Sequence, residues 1–283
     1  MRIAVTGAGG RVGSQVVRLL AGGSGHEIVA LARRDLHLPE LPRRVSSVVA
    51  DYADPRALRA GLRGVDTLVF VSSDGPVAQM IVHHHNVIQA AMDSGVSHIV
   101  ALSGLDSDIA SPFCYAVGYG YTEQLLQEAG CGFSIARASI YTEFFLGILD
   151  QLRVGAQLRV PAGSGRISLV SRDDIAHCLA ALAVTPATGG HHEVTGPEAL
   201  DMDMIAALAA QEWRTPVEYV ELSADAYSRE LANTGEDPWW VYAYASMFAS
   251  IREQRWASVS GQVTELTGRH PATVRKVLTQ PRA

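Results

Sequence analysis

The sequence predicts an α/β fold in which a doubly wound parallel sheet is followed by a smaller, mostly helical C-terminal lobe. The chain has 283 residues, of which 48% are hydrophobic, so it can bury a sizeable core. Its first 140 residues alternate short apolar runs with helix-like segments, whereas helical patterns dominate the rest. The composition excludes a disordered chain and a small protein held together by disulfide bonds.

Six short apolar runs, most of them rich in Val or Ile, have the length of strands that are buried on both faces. The segments between them carry helix signals, such as Asp54 before Pro55 at a start and Gly95 at a stop. The predicted strands are Arg2–Thr6, Glu27–Arg33, Ser46–Asp51, Asp66–Ser72, His98–Ser103 and Gly132–Arg137. The predicted helices are Arg11–Ala21, Pro55–Leu62, Val77–Ser94 and Tyr119–Ala129.

The regular alternation of strands and helices loosens after Arg137. Residues 161–183 have the pattern of a glycine turn, a strand and a helix, and Met202–Trp213 has the pattern of an amphipathic helix. We therefore predict a first domain of residues 1–140 and a lobe of residues 141–283, with part of 160–198 returning to the first sheet.

Charge and residue spacing exclude several classes of partner. A net charge of −6 gives no reason to expect nucleic acid, and no apolar run approaches the roughly 20 residues of a membrane span. The start MRIAVTGAGG lacks the long apolar stretch of a signal peptide.

Cys114, Cys131 and Cys178 lack metal-type spacing, which favours reduced thiols in the cytoplasm. We also expect no metal, because His83–His85 cannot face one ion from a helix, and a monomer or homodimer.

A glycine motif follows the first predicted strand and opens the first predicted helix. In the segment TGAGGRVG, Gly7, Gly10 and Gly13 give a tight turn, a close backbone approach to a diphosphate, and close helix–strand packing. The helix that follows offers free N–H groups and a partial positive charge to phosphates. This context predicts that the first domain is a Rossmann-type dinucleotide-binding domain.

The residues after the second strand predict which dinucleotide is bound. Arg33 stands twenty residues past Gly13 and is followed by Arg34. A guanidinium suits the 2′-phosphate of NADP, so we predict NADP(H) as the cofactor. Asp35, one residue further on, keeps NAD(H) as an alternative, and both arginines as solvated surface charges are a second alternative.

Seven segments, taken in their order along the chain, carry a resemblance to a known family. They are AVTGAGGRVGSQVV, ADYADPRALRAGLRGVDTLVFVSS, HHHNVIQAAMDSGVSHIVALSG, TEQLLQEAG, ARASIYTEFF, PAGSGRISLVSRDDIAHCLAAL and LTGRHPATVRKVL. With them the chain resembles the NmrA-like group of atypical short-chain dehydrogenases, especially its NAD(P)H quinone reductase and triphenylmethane reductase branch. The resemblance implies that Arg33 lies at the adenosine ribose, that Asp51 and Tyr52 lie near the adenine, and that the serines after strands four and five border the nicotinamide. The predicted cofactor contacts are Thr6, Gly7, Gly9, Gly10, Arg11, Val12, Gly13, Arg33, Arg34, Asp51, Tyr52, Ser72, Ser73, Ser103 and Gly104.

The sequence departs from ordinary short-chain dehydrogenases at their Tyr-x-x-x-Lys pair, in which the lysine lowers the pKa of the tyrosine so that it can donate a proton. Here the spacing gives Tyr115 and Tyr119, and Lys276 is the only lysine of the chain. A Tyr–Lys proton relay is therefore excluded. Ser103, Tyr115 and Tyr119 remain the candidates for a catalytic role.

A hydride acceptor that needs little acid catalysis fits this departure, and a quinone or a polycyclic aromatic compound is of that kind. Aromatic residues of the lobe can stack on such a small, flat substrate at low entropic cost, although an ordinary core is the alternative for them. The predicted substrate contacts are Tyr115, Tyr119, Tyr141, Phe144, Phe145, Trp239, Trp240 and Tyr242.

The function predicted is therefore an NADP(H)-dependent oxidoreductase that transfers a hydride directly to such an acceptor. One alternative is a redox sensor of the NmrA type, which binds NADP without turnover and regulates a partner. A further alternative is a tailoring enzyme, either a reductase or an oxygenase, that acts on an aromatic secondary metabolite.

Overall fold

The computed structural model describes residues 1–23, 25–36, 42–151 and 157–279. The strands are β1 (Arg2–Val5), β2 (Glu27–Ala32), β3 (Val45–Val49), β4 (Thr67–Phe70), β5 (His98–Gly104), β6 (Gly132–Ala138), β7 (Gln157–Val160), β8 (His191–Val194) and β9 (Glu218–Glu221). The helices are α1 (Arg11–Gly22), α2 (Pro55–Gly61), α3 (Val77–Asp93), α4 (Ala116–Glu128), α5 (Thr142–Gln151), α6 (Arg172–Ala183), α7 (Met202–Trp213), α8 (Ala224–Asn233), α9 (Pro238–Arg252), α10 (Gln262–Thr267) and α11 (Val274–Leu278).

The main sheet has seven strands in the order β3-β2-β1-β4-β5-β6-β8. Strand β1 lies between β2 and β4 and is parallel to both, with Val5 in register with Ala30 and Val69. The pairs β2–β3 and β4–β5 are parallel as well. The predicted doubly wound α/β fold is confirmed, and the chain reverses its direction of travel across the sheet at β1, where such sheets bind their ligands.

Local sequence explains where several of these elements begin. The side chain of Asp54 accepts hydrogen bonds from the N–H groups of Arg56 and Ala57, and Pro55 occupies the first turn of α2, as predicted. Strands β4 and β5 are buried along their whole length, which explains their apolar sequences. Helix α4 begins at Ala116, three residues before the predicted start, so Tyr119 lies within the helix.

The chain forms two compact units. Unit 1 comprises Met1–Ser103, Gly118–Arg137 and Arg172–His192, and its core joins residues of β1, β2, β4, β5 and β6 to helices α2, α3 and α4. Unit 2 comprises Gly104–Val117, Ala138–Ser171 and Glu193–Ala283. Besides its helices, unit 2 contains a parallel two-stranded sheet formed by β7 and β9, which the sequence patterns did not predict.

Three further features bear on the classes of function. Cys114 and Cys178 are buried, Cys131 is partly buried, and all three are outside disulfide bonds. Over the described ranges, three or more His, Cys, Asp or Glu side chains nowhere come together as a metal site would require. Among the helices described, none combines the length and the apolar character that crossing a membrane requires.

Candidate cofactor site

The connection between β1 and α1 has two positions, Gly7 and Gly13, that require glycine. Gly7 has a φ of +60°, a left-handed conformation that side chains rarely adopt, and its carbonyl oxygen accepts a hydrogen bond of 2.8 Å from the N–H of Gly10. A Cβ atom at Gly13 would lie 2.3 Å from the carbonyl oxygen of Gly7. Helix α1 therefore packs directly on the backbone of the turn, as the glycine spacing of the sequence predicts.

The first turn of α1 has the properties of an anion-binding site. Gly10 precedes the helix without a side chain to cap it, and the first turn contains no acidic residue. Its N–H groups and the partial positive charge of the helix are therefore free to bind a phosphate. The side chain of Arg11 is exposed at this end of the helix, whereas Val12 and Gly13 are buried beneath it.

Thr6, directly after β1, and Tyr52, after β3, both form hydrogen bonds to Val71 at the end of β4. The buried Thr6 hydroxyl accepts a hydrogen bond of 3.0 Å from the N–H of Val71, and the Tyr52 hydroxyl donates one of 2.7 Å to the Val71 carbonyl. Burial raises the pKa of Tyr52 well above its usual value, so its phenol stays protonated. Both predicted cofactor residues thus also fix the backbone just after the carboxyl end of β4.

Arg33 and Arg34 directly follow β2, and both are exposed. Within the described part of the chain, neither guanidinium has a hydrogen bond or an ion pair, so both are available to a ligand. Asp51 follows β3, where its carboxylate accepts a hydrogen bond of 2.8 Å from the N–H of Ala53 and thereby orders the turn that carries Tyr52.

The segment after β4 contains Ser72 and Ser73. The Ser72 hydroxyl donates a hydrogen bond to the carbonyl of Leu102 on β5. The N–H of Ser73 donates a hydrogen bond of 3.1 Å to Nε2 of His84, a fully buried residue of α3. His84 was not among the predicted site residues, because its place in a run of three histidines gives no sign that it alone is buried.

Ser103, at the end of β5, belongs to a buried group of polar side chains. Its hydroxyl donates a hydrogen bond of 2.7 Å to the carboxylate of Glu123 on α4. Nε of Arg137 donates hydrogen bonds of 2.9 and 3.1 Å to the two oxygens of the same carboxylate. The proton of Ser103 is therefore engaged by an anion, which disfavours a role for Ser103 as a proton donor. Gly104 follows as the last residue of β5 and is buried like the rest of the strand.

The two tyrosines at the dehydrogenase spacing fall into different units. Tyr115 belongs to unit 2 and immediately precedes α4, whereas Tyr119 lies on α4 within unit 1. Both side chains are partly exposed. Lys276 lies on α11, the last helix of unit 2, so α4 itself carries no lysine.

Most of the predicted substrate residues of unit 2 lie in two groups of rings. Trp239 packs edge-on against Tyr115, with centroids 6.2 Å apart, and contacts Tyr242 at 5.7 Å. In the second group, the ring of Tyr244 packs against Trp240, with centroids 5.8 Å apart, and against Phe144, with centroids 6.1 Å apart. Tyr242 is 54% exposed, and the others are partly exposed.

Two remaining predicted substrate residues lie outside these groups. Phe145 is fully buried and packs against Phe248, with centroids 6.2 Å apart, which favours the core alternative for it. Tyr141 is partly exposed at the start of α5, where its backbone forms a bridge with Val170.

The parallel sheet, the glycine turn at its switch point and the uncapped helix define a dinucleotide-binding protein of the Rossmann type. Comparison with known proteins identifies its family. Residues 7–186 match the model of a family described as NAD(P)H-binding. The chain belongs to this family, and it is also similar, at 25% identity over 244 residues, to an NmrA-like family domain-containing oxidoreductase of Aspergillus flavus.

Relatives with assigned activities match almost the whole chain. It is 30% identical to an NAD(P)H azoreductase of Xenophilus azovorans over 278 residues, which cover 96% of this chain and 94% of the relative. It is 31% identical to quinone oxidoreductase 2 of Escherichia coli (strain K12) over 239 residues, 82% of either chain. The crystal structure of an Escherichia coli NADPH-dependent quinone oxidoreductase with NADPH has a TM-score of 0.89, at 26% identity and 98% coverage of either chain. The protein is thus an NAD(P)H-dependent oxidoreductase.

Proposed function

We propose that the protein is an NADPH-dependent reductase that passes a hydride directly to a quinone or a polycyclic aromatic acceptor, without a Tyr–Lys proton relay. The observation that carries this proposal is the set of side chains that helix α4 presents. It has Tyr119 where a lysine would stand, and its Glu123 holds the proton of Ser103. An acceptor that depends on a Tyr–Lys relay is therefore disfavoured, whereas a quinone needs no such relay.

The preference for NADPH rests on Arg33 and Arg34. A dinucleotide at the switch point extends from the end of β2, across the glycine turn, toward β4 and β5, because β1 lies between β2 and β4. Its adenosine half therefore faces the end of β2, where the two arginines stand. An exposed guanidinium without an ion pair in the described structure can bind the 2′-phosphate in a forked geometry.

The chemistry of the acceptor follows from the missing Tyr–Lys pair, since Lys276 is the only lysine in the sequence. When bound, NADPH supplies the hydride, and a quinone that accepts it becomes a hydroquinone anion, which water protonates. The chain holds the cofactor at the glycine turn and orients its reducing end, and proximity supplies most of the rate. The names of the azoreductase and the quinone oxidoreductase support acceptors of this class for this chain too.

We propose that unit 1 binds the cofactor and that unit 2 binds the acceptor. The partly exposed rings of Tyr115, Trp239 and Tyr242 offer faces and edges on which a flat molecule can stack. Nε1 of Trp239 is buried and has no hydrogen-bond partner within the described ranges, so it is a donor that an acceptor carbonyl can satisfy.

We expect the purified protein to oxidise NADPH when a small quinone is added, as followed by the absorbance of the reduced cofactor. The assay compares a benzoquinone, a naphthoquinone, an azo dye and a simple aliphatic ketone, with and without the protein. Turnover of the quinones and not of the ketone is the expected result, because only the ketone needs an acid. NADPH binding without oxidation of any acceptor would contradict the proposal and favour the redox sensor.

We expect Tyr115→Phe and Tyr119→Phe each to lower kcat for a quinone by less than about tenfold, since a general acid contributes about 10²- to 10⁴-fold where one acts. The measurement is steady-state turnover at saturating NADPH. A loss of 100-fold or more in either variant, with the fold intact by circular dichroism, would show that a phenol donates a proton after all.

A further inference from the structure

Helix α4 carries two adjacent polar side chains that connect it to two strands of the sheet. Thr122 and Glu123 are adjacent on α4, and both are buried. Adjacent residues of a helix point about 100° apart, so they reach different neighbours. Each connects to a residue at the carboxyl end of a different strand of the sheet, Ser73 after β4 and Ser103 on β5.

The connection from Thr122 passes through His84. The Thr122 hydroxyl donates a hydrogen bond of 2.6 Å to the carbonyl of Gly118, so its proton is engaged. Nδ1 of His84 lies 2.6 Å from the Thr122 oxygen and must therefore be the donor there, while Nε2 accepts the N–H of Ser73. This pattern requires a neutral imidazole, and burial lowers the pKa of His84 to about 3, which keeps it neutral at ordinary pH.

The connection from Glu123 is direct. Its carboxylate accepts the hydroxyl of Ser103, and the guanidinium of Arg137 neutralises it through two oxygens. The side chain of Glu123 is only 6% exposed and that of Arg137 is 26% exposed, so the carboxylate of this ion pair is shielded from water. A shielded pair with good geometry has one arrangement, which fixes the rotamer of Ser103.

Both serines lie where the reducing half of the dinucleotide is expected. Strands β4 and β5 lie on the side of β1 opposite to β2, so their ends face the nicotinamide half when the adenosine half faces Arg33. The hydroxyl oxygen of Ser73 is buried, and across the described residues it has no hydrogen-bond partner. A buried polar atom without a partner costs free energy, and a ribose hydroxyl or a carboxamide would satisfy it.

We propose that Thr122, acting through His84, and Glu123 are positioning residues that fix Ser73 and Ser103 for the nicotinamide half of the cofactor. Helix α4 then serves as a scaffold for the cofactor instead of supplying a Tyr–Lys pair. This inference rests on the proposed cofactor site, and it assigns to His84, Thr122 and Glu123 a role in cofactor geometry.

Two substitutions of His84 separate its two hydrogen bonds. In His84→Gln the amide oxygen reaches about as far as Nε2 and keeps an acceptor for Ser73, whereas in His84→Asn the amide nitrogen replaces Nδ1 and that acceptor is lost. Because a hydrogen bond of this kind contributes about 1.4 kcal/mol, we expect His84→Asn to weaken NADPH binding about tenfold and His84→Gln less than about threefold. Isothermal titration calorimetry measures both.

The probe 2′,5′-ADP, which lacks the nicotinamide half, tests where the effect acts. We expect wild-type protein and His84→Asn to bind it within about twofold of each other, because the adenosine half and its phosphates are untouched. His98→Asn is the matched control. His98 is also buried, at the start of β5, where its Nε2 lies 3.1 Å from the Ser134 hydroxyl, and its loss should lower Tm without changing NADPH affinity.

Each outcome decides one of the two proposals. A wild-type protein that binds neither NADPH nor 2′,5′-ADP contradicts the proposed function itself. Wild-type binding of NADPH together with an unchanged His84→Asn, or an equal loss of both probes in that variant, contradicts the positioning role alone. Thr122→Val keeps the side-chain volume and removes the acceptor of His84, so it should reproduce the selective loss of NADPH affinity even if His84→Asn fails to fold.

Discussion

A Gly13→Ala variant is expected to bind NADPH about a hundredfold more weakly than the wild-type protein, a loss of about 2.7 kcal/mol. The added Cβ would lie 2.3 Å from the carbonyl oxygen of Gly7 and 2.7 Å from its carbonyl carbon. Both atoms are backbone, so relief requires α1 to move away from the turn. Such a movement carries away the N–H groups that bind the diphosphate. Calorimetry with NADPH measures the effect.

Gly22→Ala is the matched control, because Gly22 lies on the same helix and its Cβ would meet nothing within 4 Å. We expect unchanged NADPH affinity and a stability gain of up to about 1 kcal/mol, since alanine is the better helix former. Gly10→Ala provides an intermediate case, with a Cβ 3.2 Å from the Gly7 oxygen. Normal NADPH affinity in Gly13→Ala would mean that the turn does not hold the cofactor.

An Arg33→Asp variant should bind NADPH about a hundredfold more weakly and NADH within about threefold of the wild type, because hydrogen bonds to charged groups contribute about 1.5–3 kcal/mol. The guanidinium is exposed beside the end of β2 and has no hydrogen bond or ion pair in the described structure, so its loss breaks neither there. A carboxylate in its place repels a 2′-phosphate and accepts a ribose hydroxyl. Dissociation constants of the two cofactors are the measurement.

Arg63→Asp is the control for the change in net charge. Arg63 is exposed just before the amino end of β4, whereas Arg33 follows the carboxyl end of β2. We expect it to leave the affinities for both cofactors unchanged at physiological salt, where charges this far apart are screened. Equal losses of NADPH and NADH in Arg33→Asp would contradict the role of Arg33 at the 2′-phosphate.

Some parts of the candidate site were predictable because their signals are local. The glycine turn depends on residues within seven positions of one another, and the cap of α2 by Asp54 depends on adjacent residues. The start of α4 was predicted three residues too late, because the segment before it depends on a distant partner. There the N–H of Cys114 donates a hydrogen bond to the Ser246 hydroxyl, 132 residues away in sequence.

The run His83–His85 is another feature that local sequence did not fully predict, here within a single helix. The sequence excludes a metal site for it, since neighbouring side chains diverge. Which of the three is buried depends on how α3 packs against the sheet and α4. The structure buries His84 and exposes His85. Likewise, the sequence allowed Phe145 to be either a substrate contact or core, and its packing against Phe248 favours the core.

The sequence by itself determined the class of fold, the glycine turn that binds a dinucleotide, and the absence of a lysine for proton transfer, because these follow from residue type and short spacing. Only the tertiary structure decided the protonation state of His84, the pairing of Glu123 with Arg137 and the engagement of Ser103. These depend on burial and on partners from separate elements, and a chain acquires both only when those elements pack together.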